Sequence, residues 1–205
     1  MNTITNSFEP YLENTELSDF SESSIIEVCT ILKAKSADET ILVKNIYEYV
    51  NDEIKHTADT NEQNVTCSAF EVISYKHGIC CAKANLFAAC LRYFHIPTGF
   101  CYQKLKASNG NGFVLHGLNA VYLSEYGKWI RLDAGGVKKE SNAQFSIDEE
   151  KTAYKANISI GESDHDTIFT KPNPTVIKIL QNSKNREELW KYWGLTLNAV
   201  FGDCQ

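Results

Sequence analysis

Between Gly78 and Pro97 the chain carries a stretch that can fold in few ways. Gly78-Ile79-Cys80-Cys81 leads into an apolar run with Ala84, Phe87, Ala88 and Leu91 on one helical face. Small residues at Ala82, Ala84, Ala88 and Ala89 let neighbouring elements approach closely. The pattern predicts a helix from about Cys80 to Phe94, buried at the centre of the molecule. His95-Ile96-Pro97 ends it, because proline disfavours helical geometry in the residue before it. A glycine turn thus delivers a cysteine to the start of an apolar helix.

The remaining segments supply partners for that helix. Residues 1–20 are weakly patterned and read as an irregular arm or an edge strand. Ser21 to Lys33 places Ile25, Ile26, Cys29 and Leu32 on one helical face. From Asp38 to Ile54 a longer stripe recurs at intervals of three and four: Ile41, Leu42, Asn45, Ile46, Tyr49, Val50 and Ile54. A short helix is expected over Cys67 to Tyr75, capped by Thr66 or Ser68. Beyond Pro97 the character changes. Gly99 to Leu105, Gly112 to Leu123 and Lys128 to Leu132 are rich in aromatic and branched residues, are separated by polar turns, and read as successive antiparallel strands. A short strand is expected over Phe145 to Ile147. Thr175 to Leu180 follows the Pro172/Pro174 loop, and a final helix is expected from Lys184 to about Trp193. Helices, then strands, then a helix make an α+β layout, with 205 residues enough for one domain spanning 1–205.

A net charge of −6 with no basic face argues against a nucleic-acid partner, and Lys138-Lys139 is balanced by Glu140. No run is long enough to cross a membrane, and the start, Met1 to Glu13, lacks the pattern of a secretory signal. The seven cysteines are odd in number and scattered, with Cys29, Cys90 and Cys101 inside apolar patterns. Reduced, buried thiols and a cytoplasmic location are therefore expected. A zinc site drawn from Cys67, His77, Cys80, Cys81 and His95 lacks any paired Cys-x2-Cys knuckle, so no metal is expected. The glycine pairs match no dinucleotide or phosphate loop, and no cofactor is expected.

A free thiol titrates near 8.5, and placement at a helix N-terminus stabilises its anion. Cys80 has that place; Cys81 competes with it if the helix starts one residue later. A thiolate also needs a base, and the base an orienting group. His116 lies early in the second predicted strand and Asp133 closes the third, so a hairpin would set them side by side. The competing reading makes Cys80 a buried thiol, His116 a satisfied polar residue and Asp133 a turn former. His77 borders the cysteine turn, while His56 and His95 end helices, where histidine is favourable without chemistry. His165 falls in a polar loop.

In their order and spacing these residues resemble the transglutaminase-like superfamily. The resemblance rests on Gly78-Ile79-Cys80-Cys81-Ala82-Lys83-Ala84, Leu91-Arg92-Tyr93-Phe94-His95-Ile96-Pro97, His116 with Ala120-Val121-Tyr122-Leu123, and Lys128-Trp129-Ile130-Arg131-Leu132-Asp133. It is strongest over residues 67–135, with a motif-bearing core of about 38–135, and points to a small stand-alone bacterial type. It implies a papain-like core, with a central helix bearing the nucleophile against an antiparallel sheet. By that resemblance Cys80 is the nucleophile, His116 the base and Asp133 its orienter. Two departures bear on the pocket: Leu118 stands where many members have an aromatic residue, and Ala134-Gly135-Gly136 follows the aspartate without the arginine common in this subgroup.

The expected activity is attack of Cys80 on a peptide or carboxamide carbonyl, through a thioester resolved by water, in a peptide, protein or small amide substrate. Transfer to an amine, as in a transamidase, and a non-catalytic peptide-binding module on the same fold are the alternatives. The Cys80 N–H is one candidate oxyanion donor, with Gln103 or Tyr75 as the second. Tyr102, Phe113, Tyr122 and Trp129 are candidates to line a cleft, although strand alternation turns at least half of such residues to the core.

Overall fold

The computed structural model describes residues 2–3, 7–136 and 142–202. The charged run Lys138-Lys139-Glu140 lies outside the described residues. In chain order the elements are β1 (Asn2–Thr3), α1 (Ser23–Ala34), α2 (Glu39–Asp52), β2 (Lys55–His56), α3 (Ala69–Tyr75), β3 (His77–Gly78), α4 (Cys80–Tyr93), β4 (Thr98–Lys106), β5 (Phe113–Leu123), β6 (Lys128–Leu132), β7 (Ser163–Asp164), β8 (Thr167–Ile168), α5 (Pro174–Asn182), α6 (Arg186–Trp193) and α7 (Leu195–Phe201). The arm before α1 carries single 3-10 turns at Glu9–Tyr11 and Glu16–Ser18.

Local chemistry sets the helix starts. Asp38 accepts from the Ile41 N–H at 2.7 Å, which begins α2. Ser68 and Glu71 cap α3 reciprocally, a side chain at each position accepting from the other's backbone N–H. Asn173 and Asn185 cap α5 and α6. The reversal after α3 is carried by Lys76 at φ 57°, a left-handed position, rather than by Gly78 two residues later.

α4 is the hub. Every residue from Cys80 to Arg92 is buried, and α1, α2 and α3 pack around it. On its remaining side lies a four-stranded antiparallel sheet in the order β6-β5-β4-β7. The face toward α4 carries Phe100, Tyr102, Leu115, Val121 and Leu123 within the main core. The opposite face holds a second cluster of Tyr11, Cys101, Leu118, Ala120 and Ile168, covered by Trp129. Leu118, the departure from the aromatic residue, is therefore core filling on the outer face.

Several expectations need correction. The buried stripe of α2 is Leu42, Val43, Ile46, Tyr47 and Val50. Ile41 is exposed and Tyr49 only half-buried. Val43 and Tyr47 lie off the predicted stripe, and the Tyr47 ring meets Phe87 of α4 edge-on at 6.4 Å between centroids. Phe145 to Ile147 form no strand; Phe145 packs on the Tyr47 ring at 6.3 Å between centroids. Thr175 to Leu180 lies within helix α5, and α7 was not anticipated.

Candidate active site

The N-terminus of α4 approaches the sheet where two glycines make room. A Cβ on Gly117 would lie 2.5 Å from the Cys81 sulfur, and one on Gly135 would lie 2.9 Å from Cys80 Cα. Cys80 is the first residue of α4, after Ile79, which provides no side-chain cap. The first N–H groups of a helix have no intrahelical acceptor, so this end attracts an anion. Cys81, one step on, is directed against Gly117. Cys80 rather than Cys81 thus holds the first helical position.

The β5–β6 ladder runs from Leu123–Lys128 to Asn119–Leu132 and stops there. Gly117 lies beyond its end, and its N–H donates to Cys80 Sγ at 3.4 Å. The Cys81, His116 and His56 side chains also act on this sulfur. These contacts hold the Cys80 thiol well below its usual titration range. The Cys81 hydrogen bond acts most strongly, burial opposes it, and the His116 charge and the two imidazole hydrogen bonds add to it. Cys81 moves the other way: donating to Cys80 and being buried both keep it protonated.

His116 Nε2 and Asp133 Oδ2 are 2.8 Å apart, which leaves Nδ1 as the nitrogen directed at Cys80. Asp133 is held from three further directions. Its Oδ2 accepts from the Ala153 N–H at 2.9 Å, its Oδ1 from the Gly135 N–H at 3.1 Å, and its backbone carbonyl from the Tyr47 hydroxyl at 3.2 Å. Burial disfavours a charged His116, but Asp133 and Cys80 outweigh it and raise the imidazole to about 10. Burial likewise works against the Asp133 carboxylate, and His116 with the two backbone donors holds it below the ordinary range. Both shifts favour a negative sulfur beside a positive imidazole, with the Asp133 carboxylate behind it.

The segment from Glu150 to Asp164 packs over the His–Asp pair. The Tyr154 ring meets His116 edge-on at 5.1 Å. Arg131, on the same sheet face, pairs with Glu150 and with Asp164, the latter at 2.6 Å. Gln103 sits opposite His116 in the ladder and donates to Tyr154 O at 3.2 Å and Asp164 Oδ1 at 2.8 Å. These bonds tie residues 150–164 to the sheet over the candidate site.

Cys80, His116 and Asp133 are thus brought together. Neither expected second donor is placed to act on the sulfur: the Gln103 amide nitrogen is engaged as described, and Tyr75 is 60% exposed. His77 is buried but turned away, bonded to Thr57 Oγ1 at 3.2 Å and to Asn64 Oδ1 at 3.1 Å. His165 Nδ1 accepts from the Thr167 N–H, and His95 adopts φ 56° after the helix end. Tyr122 and Trp129 pack with Phe8 and Tyr11 of the N-terminal arm, far from the role of cleft walls. Tyr102 is buried under α4 and accepts from the Asn173 N–H; Phe113 stacks beneath the Lys104 and Lys106 ammonium groups. Among the described residues no group of three or more His, Cys, Asp or Glu is placed to hold a metal, and no helix is long and apolar enough to cross a membrane.

Sequence reasoning missed His56 and Tyr47. Tyr47 carried a usable signal, its place on an amphipathic helix. His56 carried none, since only the parallel pairing of β2 with β3, His56 opposite Gly78, brings it to the cysteine turn.

A solved structure described as that of a presumed cysteine protease from Cytophaga hutchinsonii superposes with a TM-score of 0.52 at 20% identity, covering 64% of this chain and 43% of the other. The periplasmic domain of TgpA from Pseudomonas aeruginosa, bound to ethylmercury, matches at 19% identity and a TM-score of 0.44, over 60% and 46% of the two chains. A structure described as a TGase matches at 21% and 0.43, over 73% and 40%. The chain spans less than half the length of these proteins. No curated protein matches the sequence. The profile of the transglutaminase-like superfamily matches residues 28–134, just over half of the sequence and the stretch that holds α2, α4, the three long strands and all three residues of the cluster. The chain belongs to the transglutaminase-like superfamily.

Proposed function

We propose that the protein is a cysteine-dependent acyl-transfer enzyme that hydrolyses peptide or carboxamide bonds through a thioester. The observation that carries this reading is Cys80 at the start of α4, its sulfur accepting from the Gly117 N–H, together with a His116 fixed on Asp133 at 2.8 Å; a lowered thiol and a raised imidazole support it. A buried ion pair of this kind costs desolvation and does nothing for a surface that only binds. In the reaction the Cys80 sulfur attacks the carbonyl carbon, and the C=O electrons move to oxygen. Collapse of that adduct breaks the C–N bond, and His116 gives its proton to the departing amine. A water, deprotonated by His116, then attacks the thioester and restores the thiolate. Burial of the cluster, with Cys80 and His116 each only about one-twentieth exposed, leaves space for a water more readily than for a second bulky amine, which favours hydrolysis over transamidation.

Iodoacetamide alkylation followed against pH, with Cys80 and Cys81 resolved by peptide mass spectrometry, tests this. Cys80 is expected to react well below pH 8.5 and to slow at least tenfold in His116→Ala. Labelling that rises only near pH 8.5 and ignores His116 removes the triad.

A further inference from the structure

The Cys80 sulfur is met by a second imidazole that no family role accounts for. His56 is 7% exposed and ends β2, whose two residues pair in parallel with His77 and Gly78 just ahead of α4. The pair is well braced. Lys55 N donates to Lys76 O at 3.0 Å, and Thr66 Oγ1 donates to His77 O at 3.0 Å. His77 itself spans Thr57 and Asn64 on the chain that leaves β2. His56 therefore does not sit on a loose loop.

Its tautomer follows from one contact. The Ala58 backbone N–H donates to His56 Nδ1 at 3.1 Å. A backbone N–H can only donate, so Nδ1 is unprotonated and the ring proton is on Nε2. That leaves Nε2–H as the donor this ring can offer beside the cysteine turn, and His56 is among the groups that lower the Cys80 thiol. The two imidazoles at one thiol thus have opposite parts. His116, on Asp133, is arranged to carry charge and exchange a proton. His56, on an amide, is arranged to give a hydrogen bond and keep its proton.

From this geometry we infer that His56 Nε2–H is the second donor of the oxyanion hole, acting with the Cys80 N–H at the start of α4. The inference rests on the proposed acyl-transfer reading. When Cys80 attacks, negative charge leaves sulfur for the carbonyl oxygen, which is then one carbon away. A donor already within reach of the sulfur, held by a fixed strand pair, follows that charge with little reorganisation. His56 comes from β2 and His116 from β5, so stabilising the oxyanion and protonating the leaving group fall to different elements. The role is catalytic, since in it the His56 N–H contacts the oxyanion.

Two electrophiles separate this role from simple support of the thiolate. p-Nitrophenyl acetate acylates through an oxyanion: the Sγ–C bond forms, the carbonyl electrons move to oxygen, and collapse expels p-nitrophenolate. Iodoacetamide alkylates by displacement of iodide and forms no oxyanion. Rates at Cys80 would be measured with both reagents in wild type, His56→Leu and His56→Gln, with Cys80→Ala as the background. Acylation is expected to fall about 100-fold in His56→Leu while alkylation changes less than about threefold. His56→Gln, which restores an N–H donor, is expected to recover most of the acylation. Equal losses with both reagents, or acylation unchanged in His56→Leu, overturn the inference. Slow alkylation of Cys80 in the wild type at neutral pH is a separate result, and it defeats the triad instead.

Discussion

The two ends of α4 bury charge in opposite ways. At the C-terminal end Arg92 is fully buried and donates to backbone carbonyls alone: Thr98 O through both Nε and Nη2, Thr170 O through Nη2, and Glu13 O through Nη1. Its guanidinium also lies over the Phe100 ring at 5.4 Å. None of those partners can titrate. At the N-terminal end Cys80 is surrounded by groups that can: His116, Cys81 and, behind His116, Asp133. Fixed carbonyls make a clamp that joins the N-terminal arm, the start of β4 and the β8–α5 connection. Titratable partners make a site whose charge can move. One helix thus has fixed carbonyl partners at one end and titratable partners at the other, and the difference lies in the chemistry of its neighbours rather than in burial.

The sharpest way to break this comparison is to exchange the expected consequences. Cys80→Ala is expected to abolish turnover by at least about 1,000-fold, with a thermal midpoint near that of the wild type. A large loss of stability there would mean that the N-terminal end is structural too. Arg92→Met should do the reverse. Its three carbonyl partners lose their donors in a buried setting, and unfolding in urea is expected to show a loss of about 3 kcal/mol. Alkylation of whatever folded protein remains should be unchanged.

Gly135→Ala tests how closely the reactive end is packed. The new methyl would press on Cys80 backbone atoms, for a predicted loss of about 1–3 kcal/mol and slower Cys80 alkylation. If reactivity were untouched, the approach of Gly135 would serve packing alone.

The pH dependence separates the ends more gently. His116 titrates higher folded than unfolded, so its stabilising contribution is complete below about 6.5 and is lost as pH rises through about 10. Asp133 titrates lower folded than unfolded, and its contribution is lost as pH falls below 3.8. The lowered Cys80 thiol offsets the His116 loss until the unfolded thiol also ionises, so urea midpoints should decline only above about pH 9 in the wild type and decline less in His116→Gln. The smallest effect belongs to a cap remote from both ends: Ser68→Ala should cost about 1 kcal/mol through loss of the α3 capping box and leave Cys80 chemistry alone.

Much of the fold was legible because its elements are locally consistent. Asp38 and Ser68 announce helix starts, Pro97 enforces a stop, and the three long strands alternate or run apolar between polar turns. The cluster was legible for a related reason. Cys80 opens a helix, and His116 and Asp133 lie on adjacent strands of a hairpin, so their meeting follows from short-range geometry. What was missed depends on contacts far apart in sequence. The segment 142–162 has no periodicity; it is shaped by Arg131, Gln103 and Asp133, which hold Glu150, Tyr154 and Ala153. The aromatic residues Tyr122 and Trp129 could be assigned to the outer face only once Phe8 and Tyr11 were seen to cover them.

By itself the sequence determined where α4 begins and ends, that it is central, and which strands flank it, since small-residue spacing, glycine, proline and alternation act over a few residues. Tertiary structure decided what surrounds each of the two cysteines. Gly117 and Gly135 admit the helix end, the end of the β5–β6 ladder frees an N–H for the sulfur, and β2 delivers His56 from 24 residues upstream. A thiol's charge depends on every donor within a few ångströms, and chain separation carries no record of that distance.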